Sequence, residues 1–180
     1  PLREALNRLS LLRLPCIETG QGFFTAAPLT QRKCSSFSNC GTLETGGIRL
    51  AVDAATDEDI AHLNSFLKET GGRGTERDNA ELVALEEQFH ETVMRLSGNG
   101  ETLHVLRNIN GRIRFVRWIA MEQRGRTSTK NEHRAVAKEL KTRNADKCVR
   151  LLSDHINFRM EKITEATREG FERIYVCERS

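Results

Sequence analysis

Proline is scarce and confined to one end of this 180-residue chain: Pro1, Pro15 and Pro28 are its only three, and the residues after Pro28 contain none. A segment of that length without the residue that breaks helices can be helical throughout. Long apolar runs are also missing. Nothing approaches the roughly 20 consecutive apolar residues that span a bilayer, and the amino terminus lacks the basic, apolar and small-residue order of a signal peptide. The expectation is a soluble, cytoplasmic protein with no membrane partner. The five cysteines (Cys16, Cys34, Cys40, Cys148, Cys177) are odd in number and include no CxxC pair, which argues against a disulfide framework or a zinc knuckle and for reduced thiols. Charge of one sign is lacking too. A formal net charge of +3 is too mild to mark a nucleic-acid binder or a polybasic anchor by itself.

What is present is helical periodicity and capping chemistry. Leu2, Ala5, Leu6, Leu9 and Leu12 recur at the helical period, and Pro15 to Ala26 reads as two short strands around a glycine turn. Residues 30–42, rich in Ser, Thr, Gly and Cys and without periodicity, suit a linker or a poorly formed first helical turn, and the domain boundary is placed there. Beyond it, Thr56 with Asp59, Thr75 with Asp78, Thr129 with Glu132, and Asn144 open helices, each side-chain oxygen satisfying backbone donors left free by the first turn. The helices are expected at 43–54, 56–69, 75–96, 101–124, 129–142 and 144–174, six in all, joined by short turns as in an antiparallel bundle. Pro1 stands where an initiator methionine is absent, and a missing front end is expected.

Three of the five histidines occupy special places. On the helix ending at Leu96 the apolar stripe is Leu82, Leu85, Phe89, Val93 and Leu96, with Glu86 and His90 one turn apart on its flank. His133 shares a face with Val136, Ala137 and Leu140, and His155 borders Cys148, Leu151 and Leu152. Three imidazoles and a carboxylate converging inside a bundle would suit a divalent transition metal such as zinc, with open positions for water or a small carboxylate. Separate buried histidines bonded to their neighbours are the alternative. His62 and His104 read as surface residues. On 101–124, Asn110, Arg117 and Arg124 lie seven residues apart along the edge of the face formed by Leu106, Ile109, Ile113, Val116 and Ala120. An inward guanidinium there would hold a carboxylate by two parallel hydrogen bonds; arginines that reach solvent over the core are the alternative.

Together these motifs carry a resemblance. Pro1-Leu-Arg-Glu-Ala-Leu-Asn-Arg-Leu followed by Gly20-Gln-Gly-Phe-Phe-Thr-Ala resembles the recognition helix and wing of the winged helix-turn-helix of GntR-family transcription regulators. Leu43-Glu44, Ala54-Ala-Thr-Asp-Glu-Asp-Ile, Phe89-His90 with Ser97-Gly-Asn, Glu132-His133-Arg-Ala-Val and Asp154-His155-Ile, in that order, resemble the FCD effector domain of the FadR-like subfamily. The resemblance covers nearly the whole chain.

It implies an all-α, antiparallel FCD-like bundle at 43–176, a partial DNA-binding domain at 1–29, and a linker between them. It further implies a homodimer that reads operator DNA, binds a divalent metal (zinc, or nickel or manganese) and responds to a small organic acid, and that is not an enzyme. The metal ligands fall on Glu86, His90, His133 and His155, the effector contacts on Arg117, Asn110 and Arg124, and the DNA contacts on Arg3, Arg8 and Gln21. Two positions depart from the family: Glu86 replaces an aspartate, and Cys40 stands where many members place an arginine. Because the helices before the recognition helix are missing, specific operator binding by this chain is not expected. A metalloenzyme using the same ligands to activate water, and a fragment that folds but regulates nothing, are the other two readings.

Overall fold

The computed structural model describes residues 15–18, 22–25, 31–71, 77–123, 126–158 and 161. A hairpin opens the chain, β1 (Pro15–Glu18) pairing antiparallel with β2 (Gly22–Thr25) in the register Pro15 with Thr25 and Glu18 with Gly22. The two strands expected around a glycine turn are therefore present. The helix expected at 2–12 lies outside the described residues, as do Arg3, Arg8 and Gln21.

Six helices follow among the described residues: α1 (Gln31–Ala54), α2 (Asp57–Thr70), α3 (Asn79–Leu96), α4 (Gly100–Gln123), α5 (Arg126–Lys141) and α6 (residues 145–158). The fold is an all-α bundle. Residues 31–42, whose composition suits a linker or a first helical turn, are the first turns of α1, continuous with 43–54. Small and hydroxylated residues form a helix there because Cys40 and Gly41 face its neighbours: Cys40 is buried, and Gly41 lies against Ile156.

Capping sets the helix boundaries. Thr56 and Asp59 form the expected capping box of α2, each side chain accepting the other's backbone N–H. Asn144 Oδ1 likewise accepts from Lys147 N at the start of α6. Two starts differ from expectation. Asp78 itself caps α3, accepting from Glu81 N at 2.8 Å, and Thr75 lies outside the described residues. The fifth helix starts at Arg126, one turn before Thr129, and Thr129 is buried inside it. Gly98, at φ +69°, makes the turn between α3 and α4, a left-handed conformation that costs glycine little.

Helix α1 packs against α3 and α4, α3 against α4, and α2 against α5. Their shared core includes Ile48 and Val52 of α1, Leu63 of α2, Phe89 and Met94 of α3, Leu106 and Ile113 of α4, Val136 and Leu140 of α5, and Cys148, Leu152 and Ile156 of α6. Each large side chain contributes on the order of 1.5–3 kcal/mol by leaving water. At Gly47, α1 comes so close to α3 that an added Cβ would overlap Met94 Sδ. Within the bundle, α3 turns differently from its apolar periodicity. Its buried residues are Val83, Glu86, Phe89, His90, Val93 and Met94, while Leu82, Leu85 and Leu96 are half-buried. Glu86 and His90 thus lie in the middle of the buried face rather than on its flank. No helix among the described residues is long and apolar enough to cross a membrane.

Candidate metal centre

Glu86 and His90 project from successive turns of α3, His133 from α5 and His155 from α6, and all four side chains are buried. One ligand atom from each lies within 4.8 Å of the other three. The Nε2 atoms of His90 and His155 are 3.3 Å apart and those of His133 and His155 3.4 Å. Glu86 Oε1 is 2.9 Å from His90 Nε2 and 3.1 Å from His155 Nε2, and Glu86 Oε2 is 3.3 Å from His133 Nε2. A tetrahedral ion with bonds of about 2.0–2.1 Å holds its ligand atoms about 3.3 Å apart. The donor set and its spacing fit a divalent transition metal. The longer Glu86 side chain still brings its carboxylate into the cluster. His62 and His104 are exposed, as expected.

Two further carboxylates set the orientation of the rings. Glu44 of α1 accepts from His90 Nδ1, and Glu132 of α5 accepts from His155 Nδ1 at 2.6 Å. In the neutral imidazoles this fixes the proton on Nδ1 and turns the Nε2 lone pairs toward the centre. His133 is held differently, its ring stacked on Phe89 with centroids 3.7 Å apart. Burial depresses the His133 pKa to about 3. Burial also opposes charge on Glu44 and His90, but it loses there: His90 and Arg117 keep the Glu44 carboxyl below its usual range, and Glu44 and Glu86 hold His90 above the usual imidazole range.

Glu44 entered the sequence reading only as part of a family motif. Its signal was nonetheless present, because Cys40, Glu44, Ile48 and Ala51 share one face of α1 and all are buried. A carboxylate in such a row needs a buried partner. Glu132 gave no comparable signal, being half-buried beside His133 on an ordinary amphipathic helix.

On α4, Asn110 and Arg117 are both buried, and Arg117 reaches Glu44, the partner of His90. Arg117 Nη2 is 3.8 Å from both Glu44 Oε1 and Cys40 Sγ, and the Cys40 thiol donates to Glu44 Oε1 at 2.7 Å. Nε and Nη1 of Arg117 and both polar atoms of the Asn110 side chain have no hydrogen-bond partner among the described residues. Buried donors of this kind are costly unless something binds them. The side chain of Arg124 lies outside the described residues. A pocket lined by Phe66, Leu67, Leu82 and Leu85 also borders Glu86 and His133.

Residues 38–158 match the family model of the FCD domain, which takes in the whole of this cluster. The chain is 34% identical over 175 residues to the Nta operon transcriptional regulator of Aminobacter aminovorans, covering 97% of this chain and 82% of that protein. The chain belongs to the GntR-family regulators with an FCD domain. It is also 27% identical to the uncharacterized HTH-type transcriptional regulator YdhC of Bacillus subtilis (strain 168), over 96% of this chain and 78% of that one. Among solved structures, E. coli McbR/YncC superposes with a TM-score of 0.73 at 15% identity, covering 93% of this chain and 80% of that one. A GntR-family regulator from Pseudomonas syringae pv. tomato str. DC3000 gives 0.68 at 22%, covering 94% and 71%. These two show that the bundle has the fold of GntR-family FCD regulators. The chain is accordingly a transcriptional regulator, and the family implies DNA binding.

Proposed function

We propose that this regulator binds one divalent metal ion, zinc by its ligand set, through Glu86, His90, His133 and His155, and that a small carboxylate effector bound beside it controls operator binding. The observation that carries this reading is the convergence of four buried ligand atoms from three helices within 4.8 Å of one another. A metal there would neutralise the converging lone pairs, and one that takes more than four ligands would keep a position open toward the pocket beside Glu86 and His133. Arg117 and Asn110 offer the buried, unpaired donors that a carboxylate would satisfy. The protein is proposed to work as a cytoplasmic homodimer, with the groove between α1 and α4 as the surface for the second copy. Leu50 and Val105, two of the three large apolar side chains exposed among the described residues, both line that groove.

The test is metal content by elemental analysis of protein purified without chelator. We expect about one divalent ion per chain, lost in the triple variant His90→Ala/His133→Ala/His155→Ala. A metal bound only to the folded state stabilises it by mass action, so a chelator should lower the Tm of the natural chain and leave that of the variant unmoved. Full metal content in the triple variant would remove the site as assigned.

A further inference from the structure

Taking the metal and carboxylate reading above as its basis, we infer that the effector is a monoanion: an acid with a single carboxylate, held at Arg117 and Asn110 in preference to di- and tricarboxylates.

The argument is a count of buried charge. Around the centre, the fully buried charged side chains among the described residues are Glu44, Glu86 and Arg117, each 2% exposed or less. Arg117 faces Glu44, and those two cancel. A divalent ion against the one carboxylate of Glu86 leaves a single positive charge, since neutral histidines add none. Glu87 does not alter the sum, because it pairs with Arg114 at 3.2 Å, and Arg114 reaches solvent. Glu132 is 30% exposed at its side chain, so water screens it. One carboxylate therefore brings the site to neutrality. A second would shed its hydration and find no counter-charge, the costly arrangement for an ion in a protein interior.

Cys40 is the residue that keeps the count low. Its thiol occupies the position beside both Glu44 and Arg117, and burial pushes its pKa far up, so it contributes a neutral donor where a cation would raise the total to two. Among the described residues, the buried donors left over are Nε and Nη1 of Arg117 and the amide of Asn110. One carboxylate can take the Nε proton together with the Nη2 proton on the same edge of the guanidinium in a two-pronged bond, which leaves Nη1 and the amide for neutral polar atoms.

Isothermal titration of the full, zinc-loaded chain with matched pairs tests this: butyrate against succinate, and benzoate against phthalate. We expect the monoacid of each pair to bind at least tenfold more tightly. Glu44→Gln adds one positive charge at nearly unchanged volume, and its amide oxygen can still accept from His90 Nδ1. With zinc content measured in parallel, it should shift the ratio at least tenfold toward the diacid. Diacids binding the natural chain as tightly as monoacids would overturn the monoanion inference and leave the carboxylate reading standing. A chain that retains zinc and binds none of the four acids would overturn both. An unchanged ratio in zinc-loaded Glu44→Gln would show that buried charge does not set the preference.

Discussion

Glu44 on α1 accepts the Nδ1 proton of His90 on α3, and this bond decides that Nε2 of His90 faces Glu86 and His155. A ring free to flip would present either nitrogen. Outer carboxylates of this kind fix the tautomer, raise ligand basicity and typically change metal affinity by about 10–100-fold when removed. Glu44→Ala should weaken zinc binding by about that range, read by competition with a chromophoric chelator. Glu44→Gln, which keeps an acceptor, should weaken it much less. Glu132→Ala should have a smaller effect than Glu44→Ala because Glu132 is partly solvated, and water can replace it. Natural zinc affinity in Glu44→Ala would show that the His90 ring is oriented by packing alone.

Glu44 also marks the limit of what the sequence made legible. Helix number and the Thr56 and Asn144 caps follow from local chemistry and helical spacing, whereas spacing left separate buried histidines open and the family resemblance groups His90, His133 and His155. The orientation of α3 did not, because the half-buried Leu82 and Leu85 line the pocket beside Phe66 and Leu67, and a contact with α2 is invisible to periodicity within α3. The helical start of α1 was hidden for a similar reason. Its Ser, Thr and Gly residues have poor helix propensity, and tertiary contacts at Cys40 and Gly41 override it.

Arg117 should be required for the response to acids. Its Nε and Nη1 are buried without partners among the described residues, so an acid that binds this guanidinium should raise the Tm with the logarithm of its concentration once it exceeds Kd. Arg117→Ala should abolish that rise while leaving zinc content intact, since Arg117 touches the metal cluster only through Glu44. Arg117→Lys should restore little of it, because an ammonium cannot form the two parallel bonds of a guanidinium. An acid-induced Tm shift of full size in Arg117→Ala would place the ligand elsewhere.

The capping box at α2 makes a pH prediction. Hydrogen bonds from the Thr56 hydroxyl and backbone N–H hold the Asp59 carboxyl below its usual range. A depressed folded-state pKa means the contribution is present above the unfolded value of about 3.9 and is lost as pH falls through the folded value. Thr56→Ala should cost about 1 kcal/mol at neutral pH. Denaturant titrations across the acid range should show the gap between the natural chain and Asp59→Asn shrinking as pH drops below 4. A gap that stays constant would mean the carboxylate form is not what the cap uses.

Arg143, in the turn between α5 and α6, ties the far corner of the bundle together while holding an unfavourable backbone. Its φ is +57°, a conformation that costs a non-glycine residue roughly 1–2 kcal/mol. The side chain offsets this. Nη1 donates to Val52 O at 2.8 Å and Ala55 O at 2.6 Å, carbonyls at the end of α1 that the helix leaves without a partner, and Nη2 reaches Asp57 Oδ1 at 3.1 Å. Hydrogen bonds from a charged donor contribute about 1.5–3 kcal/mol when well made, and partial exposure of this guanidinium puts the pair at the low end. Two opposed terms then separate in two variants. Arg143→Ala loses the bonds and keeps the strain, while Arg143→Gly loses the bonds and relieves it. Urea unfolding should therefore rank the natural chain above Arg143→Gly, and Arg143→Gly above Arg143→Ala by about 1 kcal/mol. If the glycine variant matched or exceeded the natural chain, the clamp across α1 and α2 would contribute nothing, and the left-handed arginine would be strain without compensation.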